Sequence, residues 1–176
     1  IEAQTRGVSL SAIVWPEAAV PDYINLNDAL RGYLAYGLPA NSYLITGAVR
    51  ANVRSSEDFD LFNSLEVLDA KGDIVAFYNK RHLVPFGEYV PFRKYISWMQ
   101  SITGGLLDTT PGTASTAISL PGLPSFAASI CYEGIVPDYV IHKQNKNAEW
   151  IINITNDGWF GISTGPFQHL AIQRLR

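Results

Sequence analysis

Short apolar runs rich in Val, Ile, Leu and aromatic residues recur along this chain of 176 residues, each closed by Pro, Gly or a polar side chain. That punctuation constrains the fold more than any other feature, because apolar runs of strand length bounded by turn residues read as buried strands. Residues 8–15 form one such run, closed by Pro16, and residues 42–49 form a second. Residues 61–69 and 74–78 are two more, joined by Ala70-Lys71-Gly72-Asp73, which has hairpin-turn composition. Residues 116–120 and 125–130 flank Pro121-Gly122-Leu123-Pro124, and residues 150–155 run into the turn Asn156-Asp157-Gly158. Apolar residues at Leu26, Leu30, Tyr33 and Leu34 have helical spacing, which predicts a helix over 26–36 with Asn25 or Asn27 as cap and Gly37 as stop. Residues 137–147, with Pro137 in the first turn, and 167–176 read as further helices. Strands alternating with helices, with hairpins inserted, specify an α/β fold with a mixed sheet.

Composition narrows the class. Hydrophobic residues make up 47% and charged residues 16%, enough apolar material for one domain with a proper core. A net charge of −3 without any run of Lys or Arg excludes a nucleic-acid surface. The 3 His are scattered and the 1 Cys is alone, so neither an intrachain disulfide nor zinc-type spacing exists, and no metal or cofactor is expected. No run approaches the ~18 apolar residues of a membrane span, and no signal peptide opens the chain. The chain starts at Ile1 in a polar segment and stops at Arg176 inside an expected helix without a stop residue, which predicts a piece of a longer protein. Phosphate loops, dinucleotide fingerprints, a Gly-x-Ser-x-Gly elbow and a Ser-His-Asp pattern are absent. The nominal glycosylation sequon at Asn153 lies in an expected buried strand and is discounted.

Three reactive side chains each follow an apolar run: Glu17 after Trp15-Pro16, Lys80 after residues 74–78, and Cys131 after residues 125–130. Ligands of α/β sheets bind outside strand ends, so these residues are candidates for one pocket. A lone Cys is more often a small core residue, but the polar pair Tyr132-Glu133 followed by Gly134 marks a sharp turn, where backbone N–H groups are placed to hold an oxyanion. Cys131 is then the candidate nucleophile, Glu17 the candidate base and Lys80 a fixed positive charge, against the plainer reading of each as a core or solvated residue. Glu88, set among aromatic residues and prolines, is a candidate to orient Lys80 or the base, or else to pair with Arg81 or Arg93. The irregular stretch 79–111 carries Tyr95, Ile96, Trp98, Met99, Ile102, Leu106 and Leu107, which suit either a surface dipping toward a bilayer or plain packing.

Together these residues resemble the nitrilase, or carbon–nitrogen hydrolase, superfamily, whose pattern is a Glu, a Lys and a Cys in that order. The matching segments are Trp15-Pro16-Glu17, Asn79-Lys80-Arg81-His82-Leu83 and Ile130-Cys131-Tyr132-Glu133, with Glu88 as the second glutamate. Val84-Pro85-Phe86-Gly87-Glu88-Tyr89-Val90-Pro91, Asn156-Asp157-Gly158-Trp159-Phe160-Gly161 and Gly165-Pro166-Phe167-Gln168-His169-Leu170 look like the bacterial apolipoprotein N-acyltransferase branch. The resemblance implies an α-β-β-α sandwich of mixed sheets, one nitrilase-like catalytic domain over 1–176, incomplete at both ends, and a Glu17-Lys80-Cys131 triad. It implies supporting or substrate-binding roles for Glu88, Tyr132, Glu133 and Trp159. It also implies a phospholipid acyl donor, an apolipoprotein acceptor, and attachment to the bacterial inner membrane through segments outside this chain, with the catalytic domain facing the periplasm. A soluble amidase using the same residues is the alternative, and a catalytically dead binding module is the reading from another class.

Overall fold

The computed structural model describes residues 10–92, 108–113, 117–136 and 146–175, whose strands form two sheets. In the first, β1 (Ala12–Val14) lies parallel to β2 (Tyr43–Val53), which pairs antiparallel with β3 (Phe59–Leu68), itself antiparallel to β4 (Ile74–Asn79). In the second, β6 (Leu123–Ile130) sits between antiparallel β5 (Ile118–Leu120) and parallel β7 (Trp150–Ile154). Successive strand residues point to opposite faces. Tyr43, Ile45, Leu65, Val67 and Tyr78 from the first sheet therefore share one core with Phe126, Ala128, Ile130, Ile152 and Ile154 from the second.

Helices cover the outer faces. A 3-10 turn (Ile24–Leu26) and α1 (Asp28–Ala35) pack Ile24, Leu30 and Leu34 against Val20 and Ala48, behind the first sheet. Behind the second sheet, Gln173 of α2 (Gly165–Arg174) reaches Asn153, whose strand neighbours Ile152 and Ile154 point into the core. The layer order is the expected α-β-β-α, and both sheets are mixed.

Boundaries moved where local chemistry differed from the sequence pattern. The helix expected over 26–36 is split, because the Asn27 side chain accepts the Leu30 N–H and caps α1. Asn25 instead clasps the Ala51 backbone, donating to its carbonyl and accepting its N–H. Only Pro121-Gly122 is needed for the β5–β6 turn, with Gly122 at φ +77, so β6 begins at Leu123. The turn at 156–158 opens a 3-10 segment, Asp157–Phe160, and α2 starts at Gly165. Residues 137–145 of the expected helix over 137–147, and the apolar residues of 95–107, lie outside the described residues. Among the described residues no helix is long and apolar enough to cross a membrane.

Candidate active site

Glu17 reaches its place through a close approach of two backbones. The Gly47 N–H on β2 donates to the Pro16 carbonyl at 3.1 Å, and a Cβ at Gly47 would come within 2.6 Å of both that oxygen and the Glu17 Cα. Only glycine lets the chain after β1 fold back across β2, and the result is a Glu17 that is 6% exposed. Lys80, just beyond β4, is pinned by its main chain: its N–H donates to the Asn63 carbonyl and its carbonyl accepts the Gly112 N–H, both at 2.8 Å. It is 1% exposed. Cys131 follows β6 and opens a 3-10 turn (Cys131–Ile135) with φ +52, a left-handed conformation that non-glycine residues rarely hold without support.

These strand ends bring the charges together. The Lys80 Nζ lies 2.8 Å from Glu88 Oε2 and 3.6 Å from Glu17 Oε1. Both hydrogens of the Asn63 amide are spent on the same two carboxylates, at 2.7 Å to Glu17 Oε1 and 2.8 Å to Glu88 Oε1. The Asn156 N–H donates to Glu17 Oε2 at 3.0 Å, and the Val84 N–H to Glu88 Oε2 at 2.9 Å. Burial works against the Lys80 charge, but the carboxylates of Glu88 and Glu17 outweigh it and hold the ammonium above its ordinary range. Cys131 responds oppositely: burial first, then the negative charge of Glu17, push its thiol up to about 11, while Lys80 and a hydrogen bond from the Thr155 hydroxyl pull it down. The resting sulfur is therefore a protonated thiol at neutral pH, beside a carboxylate able to take its proton.

Glu133 is fully buried and joins the second and third reactive segments. Its Oε1 accepts from the Tyr78 hydroxyl (3.0 Å) and the N–H groups of Arg81 (2.7 Å) and His82 (2.9 Å), while Oε2 accepts the Ile130 N–H at 2.9 Å. One carboxylate thus ties the turn after Lys80 to the residue before Cys131. Tyr132, next in sequence to Cys131, is 44% exposed, and Trp159 is 63% exposed on the 3-10 turn that follows Asn156. The Trp159 indole makes no hydrogen bond or ring contact among the described residues. The same residues hold no group of His, Cys, Asp and Glu arranged for a metal ion.

Sequence reasoning missed Asn63 and Asn156. Asn63 had one signal, an amide that with Ser64 interrupts the apolar residues between Phe62 and Leu65. Asn156 acts through its backbone, which no side-chain pattern reports.

A model of the carbon-nitrogen hydrolase family matches residues 2–176. Apolipoprotein N-acyltransferases of Bradyrhizobium diazoefficiens and Rhodopseudomonas palustris are 40% and 39% identical, over 98% and 97% of this chain and 33% and 32% of their own lengths. The chain thus spans about a third of the length of these curated relatives. Among solved structures, a glutamine-dependent NAD+ synthetase from Acinetobacter baumannii aligns over 88% of this chain and 27% of its own, with TM-score 0.57 and 17% identity. A variant of a nitrilase-superfamily amidase from Nesterenkonia AN1 aligns over 92% of this chain and 60% of its own, with TM-score 0.54 and 19% identity. Those two likenesses speak to the fold, and the family match spans nearly every residue, site included: this chain belongs to the carbon–nitrogen hydrolase family.

Proposed function

We propose that the protein containing this chain transfers a fatty acyl group from a membrane phospholipid, through a thioester on Cys131, to the N-terminal amine of an apolipoprotein. The observation that carries the chemistry is the buried Lys80 ammonium between Glu17 and Glu88, beside a Cys131 held at φ +52. The names of the relatives at 40% and 39% identity support the choice of acyl donor and acceptor.

In the first step Glu17 takes the Cys131 proton as the sulfur attacks the ester carbonyl. The new C–S bond leaves an oxyanion facing the Lys80 ammonium and the backbone N–H of Tyr132, in the first turn of a 3-10 segment where N–H groups have no intrahelical acceptor. Collapse breaks the C–O bond, and Glu17 returns its proton to the departing lysophospholipid. In the second step the amine attacks the thioester, Glu17 takes the amine proton, and as the C–S bond breaks Glu17 passes that proton to the departing Cys131 sulfur, which regenerates the thiol and the carboxylate. A thiol pushed up to about 11 makes the base indispensable, since little thiolate exists before the substrate arrives. Glu88 holds Lys80 in place, and the exposed rings of Tyr132 and Trp159 are assigned to substrate binding.

The reading places the protein in the bacterial inner membrane, with this domain facing the periplasm. The test uses the protein at its natural full length with a phospholipid donor and intact-mass detection. Wild type accumulates an acyl-enzyme when acceptor is withheld, and Cys131→Ser does not. A normal acyl-enzyme level in Cys131→Ser refutes the proposal, and amide hydrolysis without acyl transfer turns it to the amidase alternative.

A further inference from the structure

Behind the nucleophile, on the face of the second sheet turned away from the core, a chain of hydrogen bonds leaves the Cys131 backbone and ends at Thr155, the residue beside Cys131 in the strand register. β6 and β7 run parallel in the register Ile130 to Ile154, so the next residues, Cys131 and Thr155, emerge side by side. On β7 the Asn153 amide spends its two hydrogens on the Cys131 carbonyl (3.1 Å) and the Ser129 hydroxyl (2.9 Å). The Asn153 side-chain oxygen faces Gln173 Nε2 at 3.4 Å, and the same Nε2 lies 2.7 Å from His169 Nε2. His169 Nδ1 lies 2.8 Å from Asp157 Oδ1, which also accepts the Thr155 hydroxyl at 3.1 Å. The parallel register sets Thr155 next to Cys131, and its hydroxyl works against the burial that raises the thiol.

The donors and acceptors admit one consistent assignment. Gln173 gives one hydrogen to Asn153 and the other to His169 Nε2, so the imidazole accepts at Nε2 and carries its proton on Nδ1, toward Asp157. His169 is only 4% exposed, on a helix that is otherwise largely open to solvent, and so is placed for this contact rather than for water. The packing leaves no slack: a Cβ on Gly134, in the turn that carries Cys131, would stand 2.4 Å from Asn153 Nδ2 and 3.1 Å from the Gln173 amide.

We propose that His169 is a positioning residue for Cys131, acting through Asp157 and Thr155 on the sulfur and through Gln173 and Asn153 on the backbone. Thr155 has one hydroxyl hydrogen and two claimants, Asp157 and the sulfur. While the sulfur is a thiol, the hydrogen rests on Asp157. Once Glu17 removes the thiol proton, the hydroxyl turns to the thiolate, and the His169 N–H stays on Asp157. The second arm clamps the Cys131 carbonyl, and with it the left-handed turn that aims the sulfur. This role rests on the reading of Cys131 as the nucleophile.

The test measures alkylation of Cys131 by iodoacetamide against pH, peptide by peptide, in the full-length protein, alongside acyl-enzyme formation from phospholipid. Loss of one hydrogen bond to the thiolate is expected to slow alkylation about tenfold at fixed pH, equivalent to one pKa unit. Thr155→Val and His169→Phe should each show that loss, and the double variant should show no more than either alone. His169→Asn, whose amide nitrogen stands near the Nδ1 position, should recover most of the rate. Should His169→Phe fold poorly, Thr155→Val and His169→Asn still decide the sulfur arm. Additive losses, or a His169→Asn variant as slow as His169→Phe with an unchanged melting profile, overturn the proposal. If alkylation behaves as expected but wild type forms no acyl-enzyme, the positioning role stands and the acyl-transfer reading fails.

Discussion

Replacing Lys80 by Met removes the ammonium that faces the carboxylates of Glu17 and Glu88. The ammonium stands 2.8 Å from Glu88 and 3.6 Å from Glu17, which at an effective dielectric of about 20 corresponds to about 6 and about 5 kcal/mol of attraction before desolvation. Most of that sum offsets the cost of burying the three charges. What survives in measurement is the penalty of leaving charges unpaired, about 3–5 kcal/mol. Met fills similar space, so the loss is electrostatic and not a cavity. For a domain of this size it corresponds to a melting midpoint roughly 10 °C lower. Thermal unfolding followed by tryptophan fluorescence reads it. Adding Glu88→Gln to Lys80→Met should recover part of the midpoint while acyl-enzyme formation stays at least 100-fold down, since the oxyanion has lost its cation. An unchanged midpoint in the single variant, or a double variant less stable than the single, refutes the reasoning.

The Cys131 thiol, pushed up to about 11, should give an alkylation profile that still rises past pH 9 with its midpoint near that value; a midpoint at or below 9 contradicts the burial and the Glu17 charge invoked for it. Gly47→Ala forces apart atoms that would stand 2.6 Å from the new Cβ, and should cut acyl-enzyme formation at least tenfold by displacing Glu17; wild-type rates would show that the segment yields freely. Asn63→Ala removes two hydrogen bonds to charged carboxylates, and acylation should slow by about 10- to 100-fold in single-turnover assays; a loss under twofold assigns the amide no part in holding the two groups.

The residues themselves declared much of this protein. Strand-length apolar runs placed the strands to within a few residues, since burial on both faces leaves little choice of side chain. Glu17, Lys80, Glu88 and Cys131 were legible because each is a reactive type just after such a run or among prolines. Gly47 was not, because its reason is the backbone of another segment passing 2.6 Å away, and that contact has no period in the chain. Asn63 looked like a polar blemish in a strand until β3 was paired with β4, which put its carbonyl on the Lys80 N–H and its amide between two carboxylates. Glu133 entered as half of the polar pair after Cys131, with a supporting or substrate-binding role implied by the resemblance. Only the packed sheets show that its carboxylate fastens the Lys80 turn to the Cys131 turn, across more than fifty residues of sequence. Element types and reactive groups follow from local patterns of burial and turn chemistry, which one stretch of sequence carries by itself. The distances that make those groups a site are set between stretches remote in sequence, and only the tertiary structure decides them.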